Sequence, residues 1–308
     1  MVTLNPSFQS ALPAAQAAAG GQHYPAGALY VVATPIGNLA DISLRALHVL
    51  GLVDAIACED TRHTAHLLQT YGLHKPLLAV HQHNEAQAAQ ELLAKLQAGA
   101  RVAYVSDAGT PGISDPGARL CEAVLAAGLR CVPLPGPSSV TTLLSVAGLP
   151  SLEGQAAFEF TGFLPAKGAA REQALRQLGQ TPHACVLLEA PHRIKSLLDD
   201  LSALGERRIT VGRELTKQFE ELATLACQQL PAWLAANSNR NKGEFALVLH
   251  PVQAATREGP NPDALRVLQL LMAELPLKTA AKMAADITGE SKNTLYEAAL
   301  AFKKASGQ

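Results

Sequence analysis

Short apolar runs that end in glycine- and proline-rich turns recur along this chain, and they restrict its fold more than any other feature. The clearest is RVAYVSDAGTPGISD, Arg101 to Asp115. Arg101 to Ser106 is apolar with a β-branched bias, the pattern of a buried strand. Asp107 to Gly112 then holds two glycines and a proline in six positions. Such a turn admits positive φ and lets backbone approach a ligand with no Cβ in the way. Asp115 precedes Pro116 and a helical run, which suits an N-cap with proline at the first helical position. A strand, a glycine turn carrying an acid, and a helix is how open α/β sheets build ligand sites at their carboxyl edge.

The unit repeats on both sides of this stretch. Strands are expected at 28–33, 54–58, 77–80, 101–106 and 130–133. The intervening helices fall at 42–51 (with Asp41 as cap), 62–71, 85–97, 116–127 and 138–147, the last capped by Ser138 or Ser139. Alternation of this kind implies a parallel sheet with right-handed crossovers. Residues 148–156 read as a linker, after which the pattern restarts. Strands are expected at 157–163, 184–189, 207–213, 219–226 and 244–250, with helices at 169–178, 192–204 and 230–236, and some antiparallel pairing. A second linker, 251–262, leads to helices at 263–274, 277–287 and 292–304, with a turn at Gly289 that resembles a helix-turn-helix. The expected fold class is α/β, with an N-terminal domain over 28–148, a C-terminal domain over 149–252 and a helical extension over 262–306.

Composition excludes several classes. The 308 residues are 48% hydrophobic and 17% charged, with a net charge of −1, so nucleic-acid binding has to rest on a local patch. Cys58, Cys121, Cys131, Cys185 and Cys227 are widely spaced and lie mostly in apolar runs, which reads as reduced core thiols in a cytosolic protein. No apolar run reaches the roughly 18 residues of a membrane span. Residues 1–27 contain no Lys, Arg, Asp or Glu. They lack the basic and apolar regions of a secretory signal and read as a disordered tail without chemistry.

The chain has neither GxGxxG after its first strand nor GxxxxGK[ST], which argues against dinucleotide oxidoreductases and P-loop enzymes. Instead TPIGN, DAGTPG and PLPGPSS each follow an expected strand of the first sheet. Three such turns converge on one sheet edge and form a pocket lined by backbone N–H and C=O groups. That pocket suits a small ligand with an amino acid moiety and an adenine. His63 with His66, and His81 with His83, have spacings that can bind a metal. With no Cys or HExxH beside them, no metal site is assigned.

TPIGNLADIS, EDTRHT, SDAGTPGISDPG, PLPGPSS, GFLPAK, LLEAPHR and RELTK occur in this order. Together they resemble the ribosomal RNA small-subunit 2′-O-methyltransferase I family, a branch of the tetrapyrrole-methylase-like fold, over about Leu29 to Lys304. The resemblance implies two α/β domains with a cofactor cleft between them. It also implies dependence on S-adenosylmethionine, methylation of a cytidine ribose in the decoding region of 16S rRNA within the 30S subunit, a cytoplasmic location and a homodimer. Carried over residue by residue, Pro35 and Gly37 wall the cofactor cleft. Ala108, Gly109, Thr110 and Ile113 contact the methionine and ribose portions. Ser138 and Ser139 meet the cofactor from the third turn, and Leu188, Glu189 and Ala246 close it from the other domain. The chain departs from the family pattern at Ala190, where a hydroxyl residue is expected, and at Gly112 and Ser114, where bulkier residues are common.

Methyl transfer to a ribose hydroxyl needs in-line alignment and a group that accepts a proton or stabilises alkoxide. Glu189, His192 and Lys217 are the candidates. Glu189 could instead simply pair with Arg193 at i+4. Asn38, Arg62, His63, Lys167, Arg171, Arg193, Arg213, Lys217 and Lys242 lie in or beside the motif loops, where phosphate contact is their natural use. Two rivals stand beside this reading: a precorrin-type C-methyltransferase on the same fold, and a non-catalytic ribosome-assembly factor that binds RNA.

Overall fold

The computed structural model describes residues 8, 10–80, 85–114, 117–149, 157–252 and 261–305. The expected cap at Asp115 and Pro116, the pair His81 and His83, and most of both linkers lie outside the described residues. The chain divides into two compact units, Met1–Pro251 and Val252–Gln308. Both sheets belong to the first unit.

In chain order the first unit begins with α1 (Ala11–Ala19), β1 (Ala28–Val32), α2 (Leu44–Leu52), β2 (Ala55–Cys58), α3 (Thr61–Thr70) and β3 (Leu77–Ala79). It continues with α4 (Glu85–Gln97), β4 (Val102–Val105), α5 (Gly117–Ala126), β5 (Arg130–Leu134) and α6 (Ser139–Val146). Strands β1 to β5 form a wholly parallel sheet in the order β3-β2-β4-β1-β5. The central strands β2 and β4 are buried along their length, as sheets covered on both faces require. Tyr30, Leu47, Leu50, Ile56 and Tyr71 pack on one face, and Leu29, Leu92, Leu96, Tyr104 and Leu120 on the other. Ser43 rather than Asp41 caps α2, accepting from the Ala46 N–H at 3.0 Å, while Asp41 closes a short 3-10 turn.

The second sheet comprises β6 (Phe158–Gly162), β7 (Ala184–Glu189), β8 (Arg208–Arg213), β9 (Glu221–Ala226) and β10 (Phe245–Leu249). Its helices are α7 (Ala169–Gln180), α8 (Pro191–Leu201) and α9 (Leu230–Ala235). The strand order is β6-β7-β10-β8-β9, with only β6–β7 parallel. Helix α6 belongs by sequence to the first sheet but packs Val140, Leu143 and Ala147 on Ala184, Val186, Ala246 and Val248 of the second. The fit is close: a Cβ on Gly212 of β8 would stand 2.8 Å from Leu143 Cδ1. One helix therefore joins the two layers and fixes their spacing.

Residues 10–27 do not form the disordered tail expected of them. Helix α1 buries Ala15 and Ala19 and packs on α2, because alanine favours helix and its small side chain permits close approach. The Tyr24 hydroxyl donates to the Ala19 carbonyl at 3.0 Å, and Arg101 Nε donates to the Tyr24 carbonyl at 3.1 Å.

The second unit contains α10 (Pro262–Glu274), α11 (Leu277–Thr288) and α12 (Lys292–Ala305). Ala264, Leu268, Ala280, Ala281, Ala284, Leu295 and Ala299 form its core. Asn261 caps α10, and Gly289 closes α11 at φ 72°, the left-handed stop that glycine favours. Among the described residues no helix is long and apolar enough to cross a membrane.

The end of β10 generates a pH dependence. His250 is buried, with Nε2 2.8 Å from Thr210 Oγ1. Burial, with Arg208 and Arg207 adding to it, holds its pKa below the ordinary 6.5. A depressed folded-state pKa means that its stabilisation is complete above pH ~6.5 and is lost as pH falls toward the folded value. Urea midpoints should therefore fall between pH 7 and pH 5, and His250→Gln should flatten that slope.

Candidate active site between the two sheets

The site starts from hydrogen bonds that join three turns. Thr34 and Gly109 exchange backbone bonds of 2.9 and 3.0 Å, tying the turn after β1 to the turn after β4. Thr34 Oγ1 also donates to the Ser106 carbonyl at 3.3 Å. Thr110 Oγ1 donates to the Pro137 carbonyl at 3.0 Å, which adds the turn after β5. Gly109 stands at φ 83°, and a Cβ there would lie 3.3 Å from Ile36 Cγ2, so glycine serves both the backbone conformation and the close approach. At Gly136 a Cβ would come within 2.9 Å of the Ala33 Cβ.

These turns form one wall of a cavity of about 330 Å³. Ala108, Gly109, Thr110, Ile113, Ser138 and Ser139 line it from the first sheet, and Leu188, Glu189 and Ala246 face them from the ends of β7 and β10. Ser138 is the N-cap of α6, and its hydroxyl makes no cap bond. Pro35 and Gly37 line an adjoining cavity of about 270 Å³, together with His63, His66, Asp107 and Lys217. Ile36, Ala108 and Glu244 border both.

Sequence reasoning missed Phe163, Leu215, Glu244 and Phe245, which also line the main cavity. Phe163 and Leu215 lie within GFLPAK and RELTK, so the motifs carried that signal. Glu244 and Phe245 had none, because the entry into β10 reads as ordinary strand.

Two catalytic candidates have defined surroundings. Glu189 is buried; its Oε1 accepts from the Ala190 N–H at 2.9 Å and pairs with Arg193 Nε at 3.1 Å. Its Oε2 is buried without a hydrogen-bond partner. Lys217 lays its stem across Gly37, where a Cβ would come within 2.4 Å of Lys217 Cγ. Its Nζ bonds Glu214 Oε1 at 2.9 Å and Glu244 Oε2 at 3.1 Å. Burial works against the charge on Lys217, but hydrogen bonds to Glu214 and Glu244 outweigh it and hold the pKa above the ordinary lysine value. Lys217 is thus a fixed cation and no proton acceptor. Its loop contains two non-glycine residues in the left-handed region, Glu214 at φ 52° and Thr216 at φ 66°. His192 is exposed at the start of α8 and lines neither cavity.

The cationic residues separate into two groups. Arg213 is buried, donating to the carbonyls of Lys242 at 2.8 Å and Phe219 at 3.3 Å, so its guanidinium ties loops together and does not face a phosphate. Arg171 is buried on Asp200 and the Pro165 carbonyl. Arg193 binds Glu189 and the Leu164 carbonyl. Arg62, His63, Lys167 and Lys242 are exposed. Asn38 caps the turn that contains Asp41, accepting from the Ala40 N–H at 3.1 Å. Asp60 caps α3 through the Arg62 and His63 N–H groups, which hold its carboxyl below the usual range. Among the described residues no group of three or more His, Cys, Asp or Glu side chains could hold a metal ion.

Comparison with known proteins identifies the family and the fold. Residues 28–231 match the Tetrapyrrole (Corrin/Porphyrin) Methylases family, and residues 258–303 match the RsmI C-terminal HTH domain. The chain is 51% identical over 276 residues to the ribosomal RNA small subunit methyltransferase I of Escherichia coli O157:H7, covering 89% of this chain and 95% of that one. The protein of the same description from Pseudomonas aeruginosa is 48% identical over 278 residues, covering 89% and 97%. Among solved structures, a diphthine synthase superposes with a TM-score of 0.55 at 13% identity, covering 72% of this chain and 90% of that one. The cobalt precorrin-4 methyltransferase CbiF gives 0.54 at 16%, covering 74% and 98%. At those identities the two structures speak to the fold alone.

The turn geometry yields a test. Gly109→Val puts a β-branched residue at φ 83° and a methyl group against Ile36, a strain of about 1–3 kcal/mol. The melting temperature should fall by a few degrees, while calorimetric titration with S-adenosylhomocysteine should show affinity lost by at least 100-fold. Unchanged affinity would move the cofactor elsewhere.

Proposed function

This chain belongs to the ribosomal RNA small subunit methyltransferase I family on the tetrapyrrole methylase fold, and from that premise we propose that it methylates the ribose 2′-hydroxyl of a cytidine in the decoding region of 16S rRNA. The substrate is the 30S subunit, and the enzyme acts in the cytoplasm as a homodimer. What carries the reading is Lys217, an ammonium fixed by two carboxylates in the wall of the cavity that adjoins the main one.

S-adenosylmethionine fits the main cavity. About 330 Å³ lies within the range of small-molecule sites. Leu188, Leu215, Phe245 and Ala246 supply apolar lining, Gly109 leaves space that a Cβ would fill, and Glu189 offers a buried oxygen without a partner. Thr110, Ser138, Ser139 and Glu189 would hold it. When bound, it supplies an electrophilic methyl carbon on a sulfonium.

The chain's residues supply the rest. The joined turns position the donor side, and apolar residues of β7 and β10 exclude water. Lys217 stabilises charge developing on the 2′-oxygen, since a preorganised ammonium in a partly desolvated site needs no reorganisation during reaction. Glu189 accepts the proton at Oε2. His192 has no part. Arg62, His63, Lys167 and Lys242 hold phosphates.

Tritiated methyl transfer from S-adenosylmethionine should occur with 30S subunits and not with a precorrin, and the labelled linkage should resist alkaline cleavage as a 2′-O-methyl ribose does. Lys217→Met should lower kcat by about 10²- to 10³-fold with S-adenosylhomocysteine affinity retained. Transfer to the precorrin alone would overturn the assignment.

A further inference from the structure

Residues 1–27 precede both regions matched by family comparison, 28–231 and 258–303. Part of this arm nevertheless reaches the cleft. Phe8 meets Tyr71 edge-on, with ring centroids 5.8 Å apart and planes at 84°. The Tyr71 hydroxyl donates to the Leu39 carbonyl at 2.6 Å in the turn after β1. Phe8 also packs with Leu12 and Leu39 against the core of the first sheet.

Phe8 lines a third cavity, of about 550 Å³, with Asn38, His66, Thr216, Lys217 and Gln218 among its other walls. This cavity shares Gly37, Leu39, His66, Thr70 and Lys217 with the cavity of about 270 Å³ beside the main site. That one in turn shares Ile36, Ala108 and Glu244 with the main cavity. Three cavities with common walls thus lie between the main site and Phe8, and Lys217 stands in the wall that the outer two share.

The walls define the ligand. They offer an aromatic ring, an imidazole, two side-chain amides and a lysine, and no carboxylate side chain. Thr216 Oγ1 is buried without a hydrogen-bond partner, on a residue at φ 66°. An aromatic platform with amide and hydroxyl groups beside a cation is how proteins take unstacked bases of single-stranded RNA. The Lys217 charge is balanced by Glu214 and Glu244, so what this wall offers a nucleotide is stacking and hydrogen bonding.

We propose that this outer cavity is a nucleotide subsite, in which a base flanking the methylated nucleotide stacks on Phe8 with its edge toward the exposed amides of Asn38 and Gln218. The subsite rests on the rRNA methyltransferase reading. It makes the N-terminal arm part of the substrate surface, a role that the uncharged sequence of residues 1–27 gave no reason to expect.

The test uses the full chain with 30S subunits and with a short RNA carrying the target cytidine and its neighbours. Phe8→Ala should weaken binding of the short RNA by about 5- to 150-fold, the affinity equivalent of stacking one base. Phe8→Leu keeps apolar packing against Tyr71 but removes the ring face, and should show the same loss, whereas Phe8→Trp should restore affinity. S-adenosylhomocysteine affinity should stay within twofold throughout, with the loss expressed in KM for 30S subunits. Making one flanking position abasic should weaken wild-type binding equally and cost Phe8→Ala nothing further. RNA affinity reduced less than fivefold in both Phe8→Ala and Phe8→Leu overturns the subsite, as does a parallel loss of S-adenosylhomocysteine affinity. If wild-type protein transfers no methyl group to any RNA, the underlying reading fails instead, and the two failures are told apart.

Discussion

The reciprocal backbone bonds between Thr34 and Gly109 are the constraint on which the rest of the molecule depends. Each end of a parallel strand leaves its turn free to wander, because neighbouring strands are connected through distant helices. Here the turns after β1 and β4 hydrogen-bond each other, and Thr110 takes hold of the turn after β5. The cleft wall therefore behaves as one rigid piece although its parts are separated by many residues of chain. Helix α6 extends that piece across to the second sheet, where Leu143 presses on Gly212. That packing of α6 on the second sheet spans the two layers.

Opposite this wall the second sheet contributes charge in an ordered form. Glu189 at the end of β7 pairs with Arg193 in the first turn of α8, while Lys217 bridges Glu214 and Glu244 from two different strand ends. The first pair leaves one oxygen without a partner; the second leaves a cation whose charge is secured by its neighbours.

How far the chain could be read in advance follows from the range of each interaction. The alternation of strands and helices was legible, because the periodicity of apolar residues is local. So were Gly109 and Thr110, since a glycine turn after a strand announces itself within a few positions. Arg213 was read as a phosphate contact because nothing near it in sequence reveals that its guanidinium is enclosed by Lys242 and Phe219. Glu244 was overlooked for a related reason: its partner, Lys217, lies 27 residues away. Residues 10–27 looked unstructured because freedom from charge was taken to signal disorder, whereas the face of α2 against which they pack lies elsewhere in the chain.

The backbone of the loop that carries Lys217 has an evolutionary and practical consequence. Glu214 and Thr216 both occupy left-handed conformations that ordinary side chains avoid, each at about 1–3 kcal/mol. A protein selected only for robustness would have placed glycine or asparagine at these two positions. That it has not means a simple route to a hardier molecule lies open inside the site, where relaxing the loop trades durability against the placement of its lysine. Attempts to thermostabilise this protein by relieving backbone strain will be drawn to these two residues first, and should leave them alone.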